Sequence, residues 1–171
     1  MFSYKIVLVG DYGTGKTSLI RRFVDNSFSE EYKSSIGVAI SKKELISNIN
    51  SIEHKSIMMI WDIEGKTDFQ PIFAHHLMGS KAFIIVADVT RKESLDSINE
   101  HILLCQKSVG TAPIFIALNK SDLQHEEIDL NSIKSLSSNV IKVFKTSAKD
   151  ETCVNDIFEI LNFTVVGNLI K

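Results

Sequence analysis

Residues 10 to 17 read Gly-Asp-Tyr-Gly-Thr-Gly-Lys-Thr, a full match to G-x-x-x-x-G-K-[ST]. The chemistry of that spacing is phosphate binding. Glycines let consecutive backbone N–H groups curl around phosphate oxygens, and a helix N-terminus adds partial positive charge. Asp11, Tyr12, Gly13, Thr14 and Gly15 form the candidate loop, with Lys16, Thr17 and Ser18 opening the helix. Lys16 is placed to reach the β- and γ-phosphates, and the Thr17 hydroxyl to ligate Mg²⁺. Such a loop works only between a strand and a helix. Lys5-Ile6-Val7-Leu8-Val9 supplies the strand pattern and Ser18-Leu19-Ile20-Arg21-Arg22-Phe23 the helix. The reading is a chain that binds a nucleoside diphosphate or triphosphate.

The elements that must carry this loop alternate along the chain. Apolar, β-branched runs at 4–9, 36–47, 55–62, 82–89, 113–118 and 140–145 read as strands. Helix-period stretches lie at 16–25, 69–78, 92–108, 129–137 and 152–169; in the last, Val154, Ile157, Phe158, Leu161, Val165 and Leu169 fall on one face. No helix separates the runs between 36 and 62, which read as a hairpin turning near 47–51. The expected fold is α/β: a mostly parallel six-stranded sheet with one antiparallel edge strand and helices on both faces.

Composition sets the surroundings. At 171 residues the chain reads as one domain, 1–171, able to bury roughly two-thirds of its unfolded surface. Net charge is −2 with both signs interspersed, so no basic face for nucleic acid is expected. Cys105 and Cys153 fit neither a metal spacing nor a disulfide framework, and Cys105 falls in a helical apolar pattern as a small core residue. Met1 leads straight into a strand without a signal-peptide pattern, so a cytoplasmic, monomeric protein is expected.

Ligands of open α/β sheets bind at the carboxyl ends of the strands. Those ends carry Asp62-Ile63-Glu64-Gly65, then Asn119-Lys120-Ser121-Asp122, then Thr146-Ser147-Ala148-Lys149. In that order, behind a phosphate loop, the set resembles the Ras-like small GTPases, closest to the Rab branch, over essentially the whole chain. Rab-like phrases include Gly10-Asp11, Tyr32-Lys33-Ser34-Ser35-Ile36-Gly37-Val38, Asp88-Val89-Thr90 and Glu93-Ser94. The resemblance implies a P-loop G domain that takes GTP or GDP with Mg²⁺.

It also implies roles. Asp122 is similar to the carboxylate that accepts the guanine N1–H and exocyclic amine, a pair of donors adenine cannot offer in that arrangement. Leaving such a buried carboxylate unpaired costs several kcal/mol. Asn119 resembles the family's loop-tethering amide, and the Lys120 stem would lie along the base plane. Ser147, Ala148 and Lys149 resemble the loop whose amide meets guanine O6. Phe28 matches the aromatic that packs edge-on against the base, or serves only as a hydrophobic loop anchor. Residues 29–38 resemble switch I and 62–78 switch II, which close on the γ-phosphate in the triphosphate state. Tyr32 would cover the phosphates, Ser35 (threonine in the family) would ligate Mg²⁺, Asp62 would hold it through water, and the Gly65 N–H would touch the γ-phosphate.

The catalytic position departs from the pattern. A Rab would read Trp-Asp-Thr-Ala-Gly-Gln-Glu; here the run is Trp61-Asp62-Ile63-Glu64-Gly65-Lys66-Thr67. Lys66 replaces the water-orienting glutamine, and an ammonium cannot accept a hydrogen bond from water. Tyr12 stands where Rabs have a small residue and would crowd an activating protein's arginine. Slow hydrolysis is expected. Effectors and exchange factors are expected through 29–40 and 61–78, although the Rab aromatic triad survives only as Trp61, with Ile40 and His76 in the other two places. Trp61 is either an exposed interface anchor or partly buried under switch II. The 48–51 turn reads as longer than a Rab's, and His75-His76 as a solvated pair. No cysteine stands near Lys171, so membrane association is expected only through a lipidated tail outside this chain.

Overall fold

The computed structural model describes residues 1–28, 37–63 and 71–171, the side chains of 71–73 excepted. Tyr32, Ser35, Glu64, Gly65 and Lys66 lie outside the described residues.

Strands are β1 (Phe2–Val9), β2 (Val38–Ile49), β3 (Ile52–Ile63), β4 (Ala82–Asp88), β5 (Ile114–Asn119) and β6 (Val140–Lys145). Helices are α1 (Lys16–Asp25), α2 (Pro71–Leu77), α3 (Lys92–Asp96), α4 (Ile98–Ser108), α5 (Leu130–Lys134) and α6 (Val154–Leu169). The six strands form one sheet in the order β2-β3-β1-β4-β5-β6. Every pairing is parallel except β2 with β3. This is the mostly parallel α/β sheet with one antiparallel edge strand that the alternation of patterns predicts.

Central strands have both faces covered, which is why β4 and β5 are apolar up to their last residues, Asp88 and Asn119, and buried at every position. Alternate residues still divide between two cores. Ile6, Leu8, Ile84 and Phe115 pack under α1 and α6; Val7, Val9, Ile85 and Ile116 pack with Ile98, Ile102 and Cys105 of α4. Phe23 of α1 and Phe158 of α6 stack with ring centroids 4.1 Å apart, fixing the two helices on the first face. The edge strand β2 instead carries Lys42, Lys43 and Glu44 on a half-exposed ladder, a charge pattern that discourages pairing with another chain.

Three elements differ from their sequence patterns. The hairpin turns at Asn50-Ser51 alone, both with positive φ (52° and 64°), as a two-residue turn of the I′ kind requires. Ser47, Asn48 and Ile49, read as turn, instead pair with His54, Glu53 and Ile52, so the extra residues lengthen the ladder rather than the loop. The pattern over 92–108 divides at Ser97, whose hydroxyl donates back to the Glu93 carbonyl at 2.7 Å, a bond that bends helices. Leu169, placed on the buried stripe of α6, is exposed, while the polar Asn162 is buried. Asn162 accepts from Tyr4 and Ser56 and donates to Ser47 Oγ at 2.6 Å, tying α6 to β1, β2 and β3.

β1 lies between β3 and β4, where the sheet order reverses. Its carboxyl end, with those of β3, β4, β5 and β6, forms one rim of the sheet.

Candidate functional site

The phosphate loop leaves β1 at Gly10 and enters α1 at Lys16. Two glycines are required by close approach. A Cβ at Gly10 would stand 2.2 Å from the Val86 carbonyl oxygen of β4, and one at Gly15 2.2 Å from Asn119 Nδ2. Gly15 also has φ +100°, the left-handed conformation that glycine adopts without strain. Within the loop the Thr14 hydroxyl donates to the Asp11 carbonyl at 3.0 Å. The Lys16 ammonium is buried and donates to the carbonyls of Gly10 and Asp11, each at 2.9 Å, bridging the cradle at the N-terminus of α1. Ser18 sits half-buried on the first turn.

Thr17 and Asp62 meet across the rim. The Thr17 hydroxyl donates to Asp62 Oδ2 at 2.5 Å, while Asp62 Oδ1 is buried without a hydrogen-bond partner among the described residues. Burial pushes the Asp62 carboxyl above its usual range, against the opposing pull of the Thr17 hydroxyl and of the Lys16 and Arg21 cations. A buried acceptor oxygen beside a hydroxyl suits a hard divalent cation, which takes oxygen ligands and keeps several waters. The donor set fits Mg²⁺.

The base-side residues also converge. Asn119 is buried at the end of β5; its Nδ2 donates to the Thr14 carbonyl at 2.9 Å and its Oδ1 accepts from Thr146 Oγ1 at 3.2 Å. One amide thus ties the phosphate loop to the loop after β6. The Lys120 ammonium donates to the Gly13 carbonyl and to Asp88 Oδ2, both at 2.8 Å. Asp122 is exposed in the loop after β5. Its Oδ1 accepts from the buried Ser147 hydroxyl at 2.8 Å, and Ser147 Oγ accepts the Asp150 amide at 3.0 Å. Ala148 is buried and Lys149 exposed beside it. Phe28 is partly buried against the α1 and α6 core, as a loop anchor would be. Tyr12 is 45 % exposed at the crest of the phosphate loop.

Trp61 is half-buried: the Lys5 ammonium sits 3.8 Å from its ring centre and the His76 ring 6.3 Å away. His75 is exposed, whereas His76 is half-buried against Trp61.

Further residues, given no role from the sequence, belong to this rim. Asp88 ends β4, so the strand-end rule that singles out Asn119 would also have found it. Its buried carboxylate accepts from Lys120, from Arg91 Nε at 3.2 Å, and from the Thr90 amide and hydroxyl. Burial alone would raise its pKa; the Lys120 and Thr90 donors outweigh that and hold it below the carboxylate range. Arg91 also donates to the Tyr12 carbonyl at 2.6 Å, and Arg22 to the Ala148 carbonyl at 2.7 Å. His101 of α4 reaches Asp11. No local pattern marks Arg91, Arg22 or His101.

Comparison with known proteins agrees with this geometry. The model of the Ras family matches residues 5–166. The chain is 31% identical over 167 residues to Ras-related protein Rab-32B of Dictyostelium discoideum, covering 92% of this chain and 62% of that protein. It is 32% identical to Ras-related protein Rab-2B of the same organism (91% of this chain, 77% of that protein). It is 35% identical to Ras-related protein Rab-1 of Theileria parva (86% and 74%). A match along nearly the whole sheet, with the phosphate loop and both base-side loops inside it, leaves one assignment: this chain belongs to the Ras family and is similar to its Rab members.

Proposed function

We propose that the chain is a single G domain acting as a guanine-nucleotide switch, binding GTP and GDP with Mg²⁺ and hydrolysing GTP slowly. The observation that carries this reading is the double tie of Asn119 to Thr14 and Thr146, with Asp122 held by Ser147. It brings the phosphate loop and two base-side loops to one rim, with a carboxylate facing outward between them. Guanine alone among the common bases offers that carboxylate two adjacent donors.

Thr17 and Ser35 would hold the metal directly and Asp62 through a water. When bound, Mg²⁺ neutralises charge across the β- and γ-phosphates. The chain's own part is to present the amides of 13–18 to the phosphates, with Lys16 close by, and to shut water out with the 29–38 and 62–78 loops. Lys66 in place of glutamine leaves the attacking water without an acceptor, and the exposed Tyr12 obstructs an incoming arginine. Partners that sense the nucleotide would bind through 29–40 and 61–78, as in membrane traffic. The test is competition for the purified protein: GDP and GTP displace a fluorescent guanine nucleotide, and ADP and ATP do not. Equal displacement by ATP would refute the reading.

A further inference from the structure

A loop that meets a ligand with its N–H groups turns its carbonyls away, and those carbonyls need donors of their own. Behind the 147–149 loop they have one. Arg22 donates from Nε to the Ala148 carbonyl at 2.7 Å and from Nη2 to the Lys149 carbonyl at 3.1 Å. Its Nη1 pairs with Glu151 at 3.0 Å; the arginine is 14% exposed and the glutamate 59%. A planar guanidinium is the side chain suited to holding two carbonyls at a fixed mutual angle; an ammonium is not.

The placement of the arginine gives the contact its meaning. Arg22 and Lys16 stand on one short helix, α1 (Lys16–Asp25), so the rod that bears the phosphate lysine also grips the base-side loop. The Ser147 hydroxyl holds that loop against Asp122, and the Ser147 amide is engaged by the Thr152 carbonyl. The next amide belongs to Ala148, and fastening the two peptide planes that follow it limits how far it can turn. A base that donates to Asp122 through N1–H and its 2-amino group carries its 6-carbonyl on the adjoining edge, next to this loop. A cation behind a peptide carbonyl also polarises the hydrogen-bonded chain in front of it.

We propose that Arg22 is a positioning residue for base selection, holding the Ala148 and Lys149 carbonyls so that the loop's amides meet the 6-carbonyl of guanine. The proposal rests on the guanine reading above and adds to it the residue that sets discrimination at the 6-position.

The experiment measures the affinities of the whole chain for GDP, IDP, 6-thio-GDP and ADP, in the unmodified protein and in Arg22→Ala, Arg22→Lys and Glu151→Gln. IDP lacks the 2-amino group and reports on Asp122; 6-thio-GDP keeps both donors but offers sulfur, a poor acceptor, at position 6. Arg22→Ala is expected to weaken GDP roughly tenfold, the scale of one charge-assisted hydrogen bond. The preference for GDP over 6-thio-GDP should shrink by about the same factor, with the preference for GDP over IDP unchanged within about twofold. Arg22→Lys should behave like the alanine variant because it lacks the fork, and Glu151→Gln like the unmodified chain. An equal loss for all three guanine-like nucleotides would make Arg22 structural only and overturn the proposal, as would no loss at all. Should ADP bind the unmodified chain as tightly as GDP, the guanine reading itself fails and the proposal with it. If Arg22→Ala does not fold, the lysine variant carries the comparison.

Discussion

His101 Nε2 stands 2.8 Å from Asp11 Oδ1, with the two side chains 5% and 10% exposed. The pair joins α4 to the phosphate loop from behind. Burial lowers the histidine's pKa below its ordinary value of 6.5, more strongly than the Asp11 hydrogen bond and charge and the Glu100 charge raise it; the Lys16 charge adds to the lowering. The unfolded chain therefore binds the extra proton first as pH falls. The stabilisation is full above about pH 6.5 and is lost as pH drops through the folded value. Thermal midpoints should fall between about pH 7.5 and about pH 5.5, and His101→Gln, which keeps a donor for Asp11, should flatten that fall. Parallel curves for the two proteins would show that His101 is not the group responsible.

Base choice follows from Asp122 and its Ser147 support. GDP and GTP should bind at least ~10⁴-fold more tightly than ADP and ATP, the discrimination expected of a site built around paired donors. Asp122→Asn should exchange guanine for xanthine, because an amide can donate where the carboxylate only accepted. Isothermal titration with XDP checks the exchange; an unaltered preference for GDP would remove Asp122 from the site.

Metal dependence follows from the Thr17–Asp62 contact and from Asp62 Oδ1, which has no partner among the described residues. Chelating Mg²⁺ should speed release of GTP more than of GDP, since only the triphosphate offers the γ-oxygen to the metal. Thr17→Asn should weaken GTP more than GDP for the same reason. Release rates indifferent to chelator would place the metal elsewhere.

Turnover is expected to be slow. Ras, which keeps the glutamine, hydrolyses GTP unaided at roughly 3–5 × 10⁻⁴ s⁻¹. Loss of the water-orienting glutamine to Lys66 should lower such a rate by about tenfold or more, or ~1.4 kcal/mol of transition-state stabilisation. In single-turnover assays Lys66→Gln should recover part of it. Adding Tyr12→Ser should restore stimulation by an activating protein, since the exposed phenol stands at the crest of the loop. Turnover at the ordinary rate by the unmodified chain would mean that another group orients the water.

The buried Asn162 network predicts a stability loss away from the site. Asn162→Leu would strand the hydroxyls of Tyr4 and Ser47 and leave Ser56 only its 3.5 Å bond to the Leu45 carbonyl. Each buried unpaired hydroxyl costs on the order of 1–3 kcal/mol, so a loss of roughly 3 kcal/mol is expected in chemical denaturation. A loss below about 1 kcal/mol would mean that these hydroxyls find other partners.

What could be read from the chain and what could not divide by the range of the interaction. The phosphate loop, Asn119-Lys120-Ser121-Asp122 and Thr146-Ser147-Ala148-Lys149 were legible because cradle and cap chemistry needs residue types at fixed short spacing. The mostly parallel sheet was legible in outline because buried parallel strands are nearly continuous apolar runs, as β4 and β5 are up to their last residues, Asp88 and Asn119. The turn near 47–51 was legible only as a region, because Asn48 and Asn50 look alike in composition; only pairing with β3 decides which of them turns. Ser97 bends a helix that periodicity alone would continue, since a single back-donated bond leaves no trace in an apolar pattern.

The expectation of phosphate binding, and of the loop that would carry it, rests on residue order alone, because closely spaced glycines and a lysine at a helix start hold that chemistry locally. What holds the loops in place emerged only once the chain was folded. His101 meets Asp11 across 90 residues, Arg91 meets the Tyr12 carbonyl across 79, and Arg22 meets Ala148 across 126. Such contacts have no spacing rule: a lone histidine or arginine gains a role only when the sheet order brings a distant carbonyl or carboxylate within hydrogen-bond reach of it.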